Sequence, residues 1–490
     1  HTHLMNYPAG ASLVLQEIGV LNGILIAPFQ LMLDKPHGLI LGYNLAIIFS
    51  FLVSGLGMYA LAFDITRSRP AAFIAGIGFM LLPLRAMNVT TVNVLSTGWM
   101  PLYALFFSRT IRSPQARNIL WTAVFFAFTL HTSNVYAFFL VLFSPIFILA
   151  SLVADRKMVL NKRTALGLMF IAILCFLIIL PNLIMIFITD ISWEQPVDQA
   201  DFFSANLVGY FFPSDQQMVY NYLFSLLPPF SYYISGVPGH ATFVSFTLIV
   251  MFIYGIVKST KKEITPWLIT FAAFFVLSLG SRLHVWSWDT GVRLPYYLLM
   301  KYMPLSSAMR TPSRFVMLER VALLVVAAWG MKSLFSPSNN SMAEGVSESG
   351  NRNRWRTLFL PVVLALLVTA ELWHIPFKYV EADVPEIYFE IAENDEEFAV
   401  ADVPVKRYRD RAKYMFYQTV HGKPIPAGIV NRPEAGLEDT TGEIISLLSD
   451  TRNINPESLE LLRRYGAGYV ITHSFQNGRD SVVVHNLREH

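Results

Sequence analysis

Long apolar runs broken by short polar stretches fill the chain from Leu41 to Leu372, and the pattern stops there. A helix needs roughly 20 apolar residues to cross the hydrocarbon core of a bilayer. The runs predict ten such helices, at about 41–63, 70–88, 95–110, 117–133, 135–153, 164–188, 241–258, 265–281, 314–335 and 356–375. The pair 117–133 and 135–153 meets at the turn-like "HTSN", His131 to Asn134. An earlier run, Ala11 to Leu33, carries Gln16, Glu17, Asn22 and Pro28. It is expected to form an interfacial or re-entrant helix pair on the outer face rather than an eleventh crossing.

Beyond Pro376 the pattern is that of a soluble unit. "VPEIYFEIAEND" predicts a short helix, "EFAVADVPV" a strand, and "RDRAKYMFYQTVHG" a helix closed by Gly422. "NPESLELLRRYGAGYVITHS" predicts a helix capped by Asn455 and stopped at Gly466, then a strand from Ala467 to Thr472. "DSVVVHNL" predicts a last strand. The expected fold is mainly α: a polytopic transmembrane helical bundle of about ten spans with a small C-terminal extracytoplasmic α/β domain. The expected divisions are 1–40 (outer loop with interfacial helices), 41–375 (membrane core) and 376–490 (soluble α/β). "FSPSNNSMAEGVSESGNRNR", from Phe335, reads as a polar low-complexity loop.

Composition agrees: 54% of residues are hydrophobic and 14% charged, against about 25% charged in soluble domains. The net charge of +3 says less than its placement. With alternate loops on opposite faces, sixteen Lys and Arg fall on one face and seven on the other. The richer face is expected to be cytoplasmic. The N-terminal stretch, the 189–240 loop, the 282–313 loop and everything past Ile375 then lie outside. Arg310 and Arg314, in "MRTPSRF", sit on that outer face against the trend. Cys175 is the single cysteine, so no intramolecular disulfide forms. The chain opens "HTHLMNYPAG", with no initiator Met and no signal sequence, and an upstream span starting in the cytoplasm is expected.

The chain carries no Walker loop, dinucleotide fingerprint or HExxH. His1 and His3 have the spacing of a metal pair and no more, and His131 sits at the outer end of its span. Candidate chemistry gathers on the outer face. Glu17 at a membrane-edge cleft can serve as a general base toward a sugar hydroxyl, or is simply solvated there. His3, Asn6 and Tyr7 precede a Pro-Ala-Gly turn and offer polar contacts. In "RTPSR", Pro312 bends the chain and Ser313 is expected to cap the next helix. Arg310 and Arg314 then stand at a helix start, suited to a lipid-linked phosphate and equally to lipid headgroups. Glu319 and Arg320 read as a local ion pair or as buried functional charge. Asp190, Glu194, Asp198 and Asp201 lie among aromatic residues, which suits sugar binding or an interfacial belt.

The stretches "NYPAGASLV", "LGYNLAIIFSFLVSGLGMYALAFDIT", "VNVLSTGWMPLYALFFSR", "LPYYLLMKYMPLSSAMRTPSRF" and "YQTVHGKPIPAG", in this order, resemble prokaryotic polytopic membrane proteins of the GT-C glycosyltransferase type, close to the YfhO-like proteins. The resemblance implies a prokaryotic cytoplasmic-membrane protein that transfers a sugar from a polyprenyl-phosphate donor to an extracytoplasmic acceptor. It implies polyprenyl-phosphate-linked sugar and membrane lipid as partners, and no nucleic acid. A divalent metal is compatible with it. GT-C enzymes carry a D-x-D or E-x-D motif early in the first outer loop. No such motif precedes Asn6, so the base is expected upstream of residue 1 or at Glu17. The alternative readings are a non-catalytic protein of envelope polysaccharide or glycolipid assembly and, less well supported, a transporter. No paired broken spans favour the latter.

Overall fold

The structure, a computed structural model, describes residues 1–13, 16–188, 197–213, 217–219, 222, 242–259, 261–286, 288–303, 311–336, 355–374, 379, 382–429, 438–476 and 479–488. Among the described residues, eleven helices of twelve or more residues build its larger part: α1 (Val20–Met32), α2 (His37–Thr66), α3 (Arg69–Met80), α4 (Trp99–Arg112), α5 (Ala116–Leu130), α6 (Asn134–Ala154), α7 (Lys162–Ile188), α8 (Phe246–Lys258), α9 (Lys261–Ser278), α10 (Val316–Phe335) and α11 (Leu360–Glu371).

Each of the ten apolar segments coincides with a helix. Among the described residues, four helical segments are long and apolar enough to cross a membrane: His37–Thr66, Arg69–Met87 (α3 with the short helix Pro83–Met87 that follows it), Asn134–Ala154 and Lys162–Ile188. In α7 only Thr164, Gly167 and Ile171 are buried, while Phe170, Phe176, Leu177 and Phe187 are more than half exposed. An apolar face of this size is stable only against lipid, and the chain is a membrane protein. The other six segments are shorter or more charged. Helix α8 has 13 residues, about 20 Å of rise. Helix α10 has 20 but includes Glu319, Arg320 and Lys332.

Helix α1 also has 13 residues, short of the ~30 Å hydrocarbon core at 1.5 Å per residue. It packs back along α2. There Gly42 admits Ile26: a Cβ on Gly42 would lie 2.8 Å from the Ile26 side chain.

Helix α10 is the centre of the bundle, buried from Val316 to Ala328 and packed against α3, α8 and α9. Its closest approach to α8 depends on two glycines. A Cβ on Gly255 would meet Val326 O at 2.2 Å, and one on Gly330 would meet Met251 O at 2.2 Å. Small residues facing each other let helix backbones pack this closely in a bilayer.

Past α9 the chain makes an antiparallel hairpin, β1 (Arg282–Val285) and β2 (Trp288–Arg293), which the apolar pattern does not announce. Pro312–Phe315 forms a 3-10 turn leading into α10. Ser313 does not cap α10: its N–H donates to Phe203 O at 3.2 Å, and its buried hydroxyl has no partner among the described residues. The helix continues directly out of the 3-10 turn, so the extended residue that a capping side chain requires is absent.

The C-terminal segment has its own apolar core around Tyr388, Val400, Tyr414, Tyr417, Leu462 and Val470. Its elements are α12 (Ile387–Ala392), β3 (Ala399–Val403), α13 (Tyr408–His421), α14 (Glu438–Leu447), α15 (Pro456–Arg464), β4 (Ala467–Gln476) and β5 (Arg479–Asn486). The sheet runs β3-β4-β5, parallel then antiparallel. Asn455 caps α15, accepting from Ser458 N–H at 2.9 Å. Gly422 and Gly466 take φ of +70° and +86°, as helix stops do.

The first residues of the chain belong to this unit. Met5 bridges Ile425, Ile425 N–H donates to Leu4 O at 3.0 Å and Tyr7 N–H to Ile425 O at 3.2 Å. The Asn6 side chain accepts from Gly428 N–H at 3.1 Å.

Candidate functional site

Glu17 sits just before α1, half-buried. Two elements far away in sequence hold its carboxylate. Ser133, the residue preceding α6, spends its hydroxyl on Glu17 Oε1 at 2.9 Å instead of capping its own helix. Asn93, in the short helix Val92–Leu95, donates from Nδ2 to Glu17 Oε2. The start of α1 is tied down beside them: Leu21 N–H donates to His131 O at 3.0 Å, and Ser96 Oγ donates to Asn22 Oδ1 at 3.3 Å. Glu17 therefore has a fixed position in which both oxygens are addressed.

One turn into α6, Tyr136 is buried and donates to Val94 O at 3.0 Å. The charges of Arg314, Glu17 and Arg85 all act on its hydroxyl. Packing explains why Arg314 is there. Phe315 stacks on Phe139 with ring centroids 3.9 Å apart, and Phe139 lies three residues beyond Tyr136 on the same face of α6. The stack pins the 3-10 turn to α6 and brings the half-buried Arg314 to the tyrosine end.

Arg85 is the residue that sequence reasoning missed. The loop count treats it as an outer surface charge. It is 1% exposed and donates to Leu95 O at 2.8 Å, Ser50 O at 3.1 Å, Met80 O at 3.2 Å and the Thr97 hydroxyl. Among the described residues no carboxylate pairs with it. Its guanidinium is solvated by backbone carbonyls, and its charge reaches the Tyr136 hydroxyl. No sequence motif marks it; an arginine two residues after Pro83 inside an apolar run is the available signal.

The other candidates are dispersed. Arg310 lies outside the described residues, as do Asp190 and Glu194. Asn6 and Tyr7 are engaged with the C-terminal segment, and Tyr7 packs where a Cβ on Gly466 would be, 2.9 Å from its hydroxyl. His3 is exposed, with its ring 4.9 Å from that of His1. His131 is exposed and contributes its carbonyl. Asp201 accepts from the Ser281 hydroxyl and pairs with Arg282 at 3.6 Å. Glu319 and Arg320 form a fully buried ion pair at 2.6 Å, with Arg320 also donating to Thr242 O and lying over the Tyr210 ring. Among the described residues no group of three His, Cys, Asp or Glu is placed to hold a metal ion.

The site thus unites one positioned carboxylate, a half-buried arginine, a buried arginine and a buried tyrosine. The carboxylate can accept a proton, and the arginines can stabilise an anion. No protein-family model matches the chain, and no curated protein matches its sequence. Among solved structures, a mycobacterial arabinofuranosyltransferase, AftD, superposes with a TM-score of 0.52 at 12% identity, over 94% of this chain and 34% of its own length. The chain spans about a third of that protein. An oligosaccharyltransferase from Archaeoglobus fulgidus gives a TM-score of 0.42 at 11% identity, over 96% of this chain and 63% of the other. The first likeness is one of fold.

Proposed function

We propose that the chain is a membrane glycosyltransferase of GT-C type, taking a sugar from a polyprenyl-phosphate donor and passing it to an extracytoplasmic acceptor hydroxyl. The observation that carries this reading is the Glu17 carboxylate, held by Asn93 and Ser133 beside Tyr136, Arg85 and Arg314. Glu17 accepts the proton of the acceptor hydroxyl as its oxygen attacks the anomeric carbon, with inversion. The bond to the phosphate breaks, and the leaving phosphate carries the charge that Arg314 meets from the bilayer edge. Arg310 stands four residues away in sequence and is assigned the same role. Arg85 contributes a permanent positive potential. The ten-span count, the outer placement of the site and of the C-terminal domain, and a YfhO-like affiliation belong to the same proposal. So do His3, Asn6 and Tyr7 as donor or acceptor contacts, made through the edge of the C-terminal segment.

A second reading has its own support. Asn6 and Tyr7 are bonded into the C-terminal segment, which suits a non-catalytic envelope-assembly protein whose tail is an interaction module. Glycosyl transfer from polyprenyl-phosphate-linked sugars in proteoliposomes separates the two. The enzyme reading expects turnover in the parent protein, a loss of about a hundredfold or more in Glu17→Gln, and weakened donor binding in Arg314→Ala. Equal turnover in parent and Glu17→Gln would refute Glu17 as the base. Donor binding unchanged in both Arg314→Ala and Arg310→Ala would remove the arginines from the site.

A further inference from the structure

Asp64 lies near the end of α2, and three guanidiniums converge on it. Arg109 donates from Nε and Nη2 to Oδ1 at 3.0 and 2.8 Å, Arg112 from Nη2 to Oδ2 at 2.5 Å, and Arg67 from Nη2 to Oδ1 at 3.3 Å. The carboxylate is buried, its side chain 3% exposed, whereas the arginines are 36%, 42% and 68% exposed. Three positive charges face one negative charge. No other carboxylate pairs with these arginines among the described residues. Arg112 also donates to Ser108 O at 3.4 Å and Ser108 Oγ at 3.5 Å, yet one carboxylate and one serine cannot occupy all the N–H groups of three guanidiniums, so donors remain for an anion. The buried Asp64 acts as a hub that holds the arginines together against their mutual repulsion.

The cluster also adjoins an apolar surface. Arg109 lies over the Phe106 ring at 5.3 Å, Phe106 packs on Trp121 at 6.1 Å, and Trp121 and Leu120 are 39% and 59% exposed. Surplus cations ending a membrane helix, with an indole and an exposed leucine alongside, match the two halves of a phospholipid.

We propose that Arg67, Arg109 and Arg112, gathered by Asp64, form a seat for the phosphate of an anionic membrane lipid, with its acyl chain along Leu120 and Trp121. The seat is distinct from the Glu17 cluster, with which it shares no residue. Its occupant is recognised by phosphate charge and an apolar chain together, so neither inorganic phosphate nor a zwitterionic lipid replaces it.

The test is thermal stabilisation of the delipidated, detergent-solubilised full chain. It is titrated in parallel with phosphatidylglycerol, phosphatidylcholine and inorganic phosphate. Saturable protection by phosphatidylglycerol alone is expected. Arg67→Gln leaves Asp64 with two partners and should fold. It is expected to raise the half-saturating concentration about fivefold, the effect of one basic residue near a lipid surface. Trp121→Ala is expected to weaken protection without changing its dependence on salt. Phosphatidylglycerol protection equal in parent, Arg67→Gln and Arg109→Gln would overturn the proposal. Equal protection by phosphatidylcholine would overturn it too. Protection by inorganic phosphate at the same concentration would assign the cluster to a free anion and refute a lipid occupant.

Discussion

His421, the last residue of α13, makes the C-terminal segment acid-sensitive in a way that can be measured. Its side chain is buried, stacked on Tyr388 at 5.6 Å. Its Nδ1 accepts from Lys423 N–H at 3.0 Å, and its Nε2 has no partner among the described residues. Burial, with the Lys423 charge adding to it, lowers the imidazole from its ordinary 6.5 to about 4. Between those two values the unfolded chain binds a proton that the folded chain refuses, so stability falls as pH falls. At 1.36 kcal/mol per unit, the loss accumulates to roughly 3–4 kcal/mol, or about three hundredfold in the opening equilibrium. His421→Phe keeps the stack and removes the titration. Loss of the Lys423 contact costs about 1 kcal/mol, but equally at every pH. No Trp lies beyond Trp373, so the suitable assay is amide hydrogen exchange of β3 and β4 in the full chain, corrected for intrinsic rates. Parent protection is expected to fall between pH 6.5 and 4 relative to His421→Phe. Parallel curves for the two proteins would refute the argument. Because Ile425 and Gly428 hold Leu4, Asn6 and Tyr7, acid opening of this segment should also release these first residues, read as faster exchange at Tyr7.

Three further outcomes follow from the geometry. Asn93→Ala removes the partner of Glu17 Oε2, and under the enzyme reading transfer should fall about tenfold with little change in donor binding, measured as kcat against KM. Gly330→Ala places a Cβ against Met251 O and the Gly255 backbone. It should cost about 1–3 kcal/mol through separation of α8 and α10, read as a lower melting temperature. Tyr388→Phe removes the hydroxyl that donates to Asp402 and lies 3.1 Å from His473 Nε2. That should cost about 1–3 kcal/mol, seen as faster exchange in β3 at pH 7.

What the sequence made legible follows from how locally each feature is determined. Helix positions depend on apolar runs and strand positions on short β-branched stretches, so the helices at all ten apolar segments and the elements around Gly422, Asn455 and Gly466 are visible in it. The helix Glu438–Leu447 is harder to see, because "EDTTGEIISL" mixes a glycine and two threonines with few apolar positions. The hairpin at 282–293 has no marked alternation. All six residues of β2 are exposed, so burial imposes no period on it.

The site is legible only in part, for a different reason. Glu17 stands out because a carboxylate in an apolar run is costly unless something holds it, and that cost is visible in one segment. What holds it is separated by 76 residues at Asn93 and 116 at Ser133, and neither is unusual in its own context. Arg85 shows the limit most clearly. Counted as a loop charge it helps to set sidedness; buried among carbonyls from Ser50, Met80 and Leu95, it is instead an interior charge acting on Tyr136. Loop counting assumes that each arginine reaches water, and Arg85 does not. With Arg85 removed from the tally, the loops expected outside hold six basic residues rather than seven. The expectation that Glu17 faces outward rests on that tally, and so on charges that reach water.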